Sequence, residues 1–165
     1  MFFLSSVIFL PLLGGIALLF LPRENVTAIR LTALGVALLE LLLVLILALV
    51  YLQSSIGIFS SSVLTESVPW LPSLGINYSL GVDGISILLV GLTALLTAIC
   101  IGASFRIEQR VKNYMAFMLL LECGIIGVFL SANLFLFYIF WEVMLIPAYL
   151  LLGSWGGERR IYAAF

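Results

Sequence analysis

The chain has 165 residues, of which 64% are hydrophobic and only 9% charged, with a formal net charge of −1 and a mean hydropathy of +1.32. Soluble domains average about 45–50% apolar and about 25% charged residues, so this chain lacks the polar surface that water requires. It reads as an all-α integral membrane protein whose first partner is the lipid bilayer. It has no basic run to hold nucleic acid, and with no histidine and only two separated cysteines it lacks a ligand set for a metal or an iron–sulfur cluster. Cys100 and Cys123 both lie in apolar segments and are expected to be buried, inert thiols.

A membrane-spanning helix needs about 20 apolar residues to cross a core about 30 Å thick. Five stretches meet that length, at 1–21, 32–52, 80–105, 114–130 and 134–152, all within one membrane domain covering 1–165. The N-terminal stretch has no basic lead-in and no small-residue cleavage site, so it is kept as the first helix and not read as a signal peptide. Between the second and third stretches lies a polar loop, 53–78, punctuated by Pro69, Pro72 and Gly75. It is expected to form a short β-hairpin on the outer surface, with Trp70 and Tyr78 at the level of the lipid headgroups. Only Ser131-Ala132-Asn133 separates the last two stretches, which therefore form a tight antiparallel hairpin.

All seven cations fall on one side of this five-span arrangement: Arg23 and Arg30 after the first span, Arg106, Arg110 and Lys112 after the third, Arg159 and Arg160 after the fifth. Basic residues mark the cytoplasmic side, so the N-terminus is expected outside and the Arg159-Arg160 end inside.

Acids inside the spans are the unusual feature. Glu122 and Glu142 each lie about ten residues from the 131–133 turn, or about 15 Å, which is half the thickness of the core. Glu40 is also near the middle of its span. An acid at the bilayer centre costs about 2.5–3.5 kcal/mol even on a lenient scale, and ordinarily faces the bundle or a wet cavity. Burial favours the protonated carboxyl and a nearby cation favours the carboxylate, so such acids can carry protons. The plainer alternative is a neutral acid that hydrogen-bonds a neighbouring helix, and it weighs most for Glu40. Around Glu142 the context is richer. Tyr138 and Tyr149 share its helical face, and Pro147 cannot donate to the carbonyl of Val143, leaving a polar acceptor beside the acid.

In the third span Ser86, Thr93, Thr97, Cys100 and Ser104 form a small polar stripe, read either as close helix packing or as a wetted face. Asp83 opens that helix, where a carboxylate suits the helix dipole, with an ion-pair role as the alternative. Glu24, Glu66, Glu108 and Glu158 read as loop charges without function.

The segments LGVDGIS (80–86), LLLECGIIGVFLSANLFLFYIFWE (119–142) and FYIFWEVMLIPAYLLLGSWGGERRIYAA resemble one family. It is the antiporter-like subunit M, or chain 4, of proton-pumping NADH:quinone oxidoreductase (respiratory complex I), including its cyanobacterial and chloroplast forms. The resemblance covers nearly the whole chain. The W-E-x-x-L-I-P-x-Y-L-L and W-G-G-x-R-R strings carry its specificity, and the first two spans match mainly in hydrophobic pattern. It implies that Glu142 is the essential channel glutamate and Glu122 its partner acid. It implies no cofactor in this chain, with NADH, flavin, iron–sulfur clusters and quinone in partner subunits, and other membrane subunits as partners. The implied location is a bacterial inner membrane or, alternatively, a thylakoid. Family members are about three times longer, so the chain is expected to be a truncated, N-terminal third. The family's glutamate works against a lysine in a broken helix, whereas the lysine here, Lys112, lies in a loop. Two other readings stay open: a subunit of a multi-subunit Na⁺/H⁺ antiporter, and a structural remnant that does not pump.

Overall fold

A computed structural model describes residues 3–53, 64–71 and 75–157; Pro72, Glu158, Arg159 and Arg160 lie outside the described residues. In chain order the elements are α1 (Phe3–Phe20), α2 (Val26–Gln53), β1 (Leu64–Leu71), β2 (Ile76–Val82), α3 (Gly84–Ala103), a 3₁₀ turn (Ser104–Arg106), α4 (Val111–Leu130) and α5 (Leu134–Trp155). Five of these helices are long and apolar enough to cross a membrane, and the protein is integral to one. Apolar side chains such as Leu42, Leu49, Leu88 and Ile99 are exposed on the outside of the five helices.

Three helix starts differ from the sequence expectation; α4 begins at Val111 and not at residue 114, so Lys112 lies in the first turn of that helix and not in a loop. The second helix begins at Val26 and not at residue 32 because Asn25 caps it, its side-chain oxygen accepting the Ala28 N–H at 3.2 Å. Arg30 therefore sits inside the helix. Its long side chain reaches out so that Nη2 donates to the Ile107 carbonyl at 2.8 Å, with the guanidinium 6.0 Å from the Phe105 ring centre. The third helix begins at Gly84 and not at residue 80, because Leu80–Val82 end a strand and Asp83 starts the helix. The Asp83 side chain accepts the Ile85 and Ser86 N–H groups at 3.0 and 2.7 Å, while the Ser86 hydroxyl accepts the Asp83 N–H at 2.8 Å. That reciprocal capping box assigns Asp83 to helix initiation.

The expected hairpin is present. β1 and β2 pair antiparallel, with a bulge between Pro69 and Leu71, where proline has no N–H to give, and with Gly75 at φ 67 in the turn region. Trp70 is exposed and packs edge-on against Phe135, whereas Tyr78 is half-buried, with its hydroxyl 3.2 Å from that of Ser5. Glu66, read from sequence as an idle loop charge, is nothing of the kind. Its carboxylate accepts the Leu4 N–H at 2.6 Å, the Ser5 N–H at 3.1 Å and the Ser5 hydroxyl at 2.8 Å, closing the start of α1. The hairpin also holds the α4–α5 turn. Leu80 bridges Ser131, the Ala132 N–H donates to Ser79 O at 2.9 Å, and Asn133 Nδ2 donates to Asn77 O at 2.6 Å. Asn133 in turn caps α5 by accepting the Leu136 N–H at 2.8 Å.

At the opposite end lie the described cations. Lys112 Nζ donates to Leu19 O at 2.6 Å and Leu21 O at 2.8 Å, sealing the carbonyl end of α1, and Trp155 Nε1 donates to Gln109 O at 2.8 Å. Arg23, Arg110 and Lys112 line one cleft there. The hairpin end and the basic end are thus the two faces of the bundle.

Helix α4 is the centre of the bundle and touches all four other helices. Of its apolar window 56% is buried, against 17% for α5, which packs chiefly on α4. That contact runs through glycine. A methyl built on Gly124 stands 2.7 Å from Met144 Cβ, and Gly127 lies flat under the Phe140 ring. In lipid, small residues that let helices approach replace the hydrophobic drive available in water.

Candidate functional site

The buried core falls into two apolar clusters. One, toward the hairpin, holds Leu4, Val7, Ile8, Val44, Leu47, Val90, Ala94 and Ile126; the other, toward the basic end, holds Leu18, Ala33, Ala37, Ala98, Met115 and Leu119. Between them on α2 stands Glu40, bracketed by Ala37 and Val44. On α4 the corresponding position is Glu122, bracketed by Leu119 and Ile126, and on α3 it is Thr97, between Ala94 and Ala98. Glu40 is 0% exposed, Glu122 1% and Thr97 9%. A polar layer therefore crosses three helices at mid-depth.

Two close contacts fix the level of α1 as well. Gly14 abuts Val36 of α2, and Gly15 abuts Ala116 and Leu119 of α4. Counting outward along these antiparallel helices brings Pro11 level with Leu39 and Glu40 on one side and with residues 120–123 on the other. Pro11 is buried inside α1 and cannot donate to the Val7 carbonyl, so this level carries a released backbone acceptor too.

Neither oxygen of Glu40 and neither oxygen of Glu122 has a hydrogen-bond partner. The two acids thus share one buried level on helices that touch, and the buried Cys123 thiol is the next residue to Glu122. Sequence spacing placed both acids at mid-depth, and the resemblance implied Glu142 as the partner of Glu122; among the five helices the buried acid level with Glu122 is Glu40. The partner was hidden because it depends on which helices become neighbours.

Glu142 is elsewhere. Helix α5 turns Leu136, Phe140 and Pro147 toward α4, and position 142 is about 200° around the helix from 140, so Glu142 is exposed on the outer face of the five helices. The expectation of a buried acid is corrected on this point: within these helices Glu142 is uncovered. Tyr138 and Tyr149 flank it on the same exposed face, the Tyr138 hydroxyl one helical turn from the Glu142 carboxyl. The acid, a tyrosine hydroxyl and the Val143 carbonyl released by Pro147 lie together on α5.

The polar stripe of α3 divides in the same way. The Thr93 hydroxyl bonds back to Leu89 O at 2.8 Å and Ser104 to Cys100 O at 2.6 Å, the packing reading, while Thr97 alone turns into the acid layer. Cys100 is exposed, contrary to expectation, because it falls outside the Val90–Ala94–Ala98–Ile101 face; Cys123 is buried as expected. No group of three or more metal-binding side chains occurs among the described residues.

Comparison with known proteins follows this geometry. The NADH:quinone oxidoreductase/Mrp antiporter transmembrane family matches residues 131–165. NADH-quinone oxidoreductase subunit M of Rickettsia bellii (strain RML369-C) is 39% identical over 163 residues, which is 98% of this chain and 33% of that protein. The chloroplast NAD(P)H-quinone oxidoreductase chain 4 of Chara vulgaris is 40% identical over 162 residues, 98% of this chain and 32% of that one. A chain of respiratory complex I from Thermus thermophilus with bound NADH superposes with a TM-score of 0.77 at 30% identity, over 98% of this chain and 31% of that chain. The chain thus spans about a third of the length of the curated relatives it matches. Along 98% of its length the chain is similar in sequence to about a third of NADH-quinone oxidoreductase subunit M and chain 4, and in fold to part of a chain of respiratory complex I.

Proposed function

We propose that the protein is a membrane-arm subunit of a complex I-type NAD(P)H- or ferredoxin:quinone oxidoreductase and takes part in proton translocation through Glu142 and Glu122, coupled to quinone reduction in other subunits. One observation carries this reading. Glu142 stands mid-way along α5 on a face that the other described helices leave open, with Tyr138 one turn away and the carbonyl released by Pro147 on the neighbouring residue. An acid at membrane depth requires a polar or cationic partner, so that face is built to receive one from outside these five helices. A cation arriving there draws the proton off the acid, and its departure lets the acid reload. Redox groups and the quinone belong to partner subunits in this reading, in a bacterial plasma membrane or, for the plastid-type relatives, a thylakoid.

The test is Glu142→Gln in the assembled complex, which preserves size and hydrogen bonding but cannot titrate. Proton pumping is expected to fall to background while the complex still assembles; unaltered pumping would sink the proposal. A second reading, a subunit of an Na⁺/H⁺ antiporter assembly, is favoured by the matched family description, which names both protein types. Sodium-dependent proton exchange without quinone reduction would select it.

A further inference from the structure

The pair Glu40 and Glu122 is not explained by the Glu142 face. We infer that these two glutamates, bridged by water within the layer between the two apolar clusters, form one coupled acid pair that binds and releases protons: a second proton site, on α2 and α4. The inference deepens the proposed role of Glu122 and stands on the shared level and burial of the two acids, so its test is read separately from that of Glu142.

Four carboxyl oxygens at 0% and 1% residue exposure have no protein partner. Buried polar atoms in native proteins are almost always satisfied, by water when not by protein, and a buried water typically serves about three such groups. The surroundings suit water. Thr97 stands at the same level of α3, and Pro11, level with the acids, leaves the Val7 carbonyl one turn away without its helical donor.

No lysine or arginine among the described residues is at hand to pair with the acids, because these cations lie at the basic end. Two ionised carboxylates side by side in an apolar bundle would carry the full cost of uncompensated buried charge. A proton on a carboxyl removes that cost and supplies the donor that the layer lacks.

Coupling follows from proximity. When one acid loses its proton, the carboxylate left behind accepts from its neighbour through the shared water, and removing the second proton sets like charges against each other. Two interacting acids release their protons in two separate steps that belong to the pair. Every titratable group within reach belongs to it or borders it: Glu40 from α2, Glu122 and the Cys123 thiol from α4, with no titratable side chain on the facing parts of α1 and α3. Glu142 lies on the far face of α5.

The test is infrared titration of the protonated-carboxyl band in the natural full-length protein in lipid, comparing wild type with Glu40→Gln, Glu122→Gln and the double variant, all in a Glu142→Gln background. Difference spectra against the double variant isolate the pair. Both carboxyls are expected to be protonated at neutral pH, and to ionise in two steps separated by more than about one pH unit. Each single variant should show one step that falls between the two. A wild-type curve equal to the sum of the two single-variant curves would overturn the coupling, and absence of either protonated band at neutral pH would overturn the site. Should a glutamine variant fail to insert, the wild-type curve still decides, since a single unsplit step refutes the pair. This readout is independent of the pumping assay for Glu142, so failure of one leaves the other standing.

Discussion

Glu66 and Leu4 meet at 2.6 Å across 62 residues of sequence, the carboxylate of an outer strand accepting a backbone N–H at the start of the first helix. A carboxylate there answers both the unsatisfied amides and the positive end of the helix dipole. Glu66→Ala is expected to cost about 1 kcal/mol, the usual scale for losing an N-terminal cap. Hydrogen exchange at Leu4 and Ser5 should quicken while α4 amides stay protected. Unchanged exchange at both amides would show that the contact contributes nothing.

The α4–α5 hairpin depends on Gly124. A methyl there would lie 2.7 Å from Met144 Cβ and 2.9 Å from its Cα, and backbone cannot swing aside as a side chain can. Gly124→Ala should destabilise the protein by about 1–3 kcal/mol, the usual cost of overpacking. Gly91→Ala is the control, because nothing lies within 4 Å of its added methyl. Equal unfolding midpoints in detergent for these two variants would refute the packing argument.

Asp83 makes the start of α3 sensitive to acid. The Ser86 N–H bond, ahead of the other contributions, holds its carboxyl below the ordinary aspartate value of 3.8. A carboxyl lowered on folding adds stability above its unfolded value and loses it as the pH falls through the folded one. The wild type should therefore lose protection at Ile85 and Ser86 on acidification below about pH 4, whereas Asp83→Asn should be flat over that range. Parallel acid profiles for the two proteins would discount the cap.

Tyr138 tests the open face of α5 without removing its acid. Tyr138→Phe deletes the hydroxyl one turn from Glu142 but keeps the ring. An ordinary hydrogen bond is worth about 0.5–1.5 kcal/mol, so proton translocation in the assembled complex should slow by about two- to tenfold while assembly is unaffected. A rate equal to wild type would mean that the hydroxyl has no part in handling the proton.

Much of this architecture is legible in the sequence. Apolar length and one-sided charge give five helices and their ends, and proline and glycine punctuation gives the hairpin. The parts that are not legible are the non-local ones. Arg30 looks like a loop charge because a sequence does not show that its guanidinium reaches Ile107. Glu66 looks idle because its partners are on another element. Helical spacing puts Tyr138, Glu142 and Tyr149 on one face, but the glycines of α4 decide that this face turns outward. Depth along each helix can be counted from its ends, whereas the meeting of Glu40 with Glu122 requires knowing that α2 touches α4.

The common depth of Glu40 and Glu122 has an electrical consequence. A proton passed between them moves parallel to the membrane plane and does no work against the transmembrane voltage. Reaching the layer from either face crosses about half the field, or about 1.2 kcal/mol per 100 mV. Voltage then acts on the vertical approaches to the layer and leaves the sideways exchange untouched, so a charged membrane would alter how fast the acids fill without altering which of the two holds the proton.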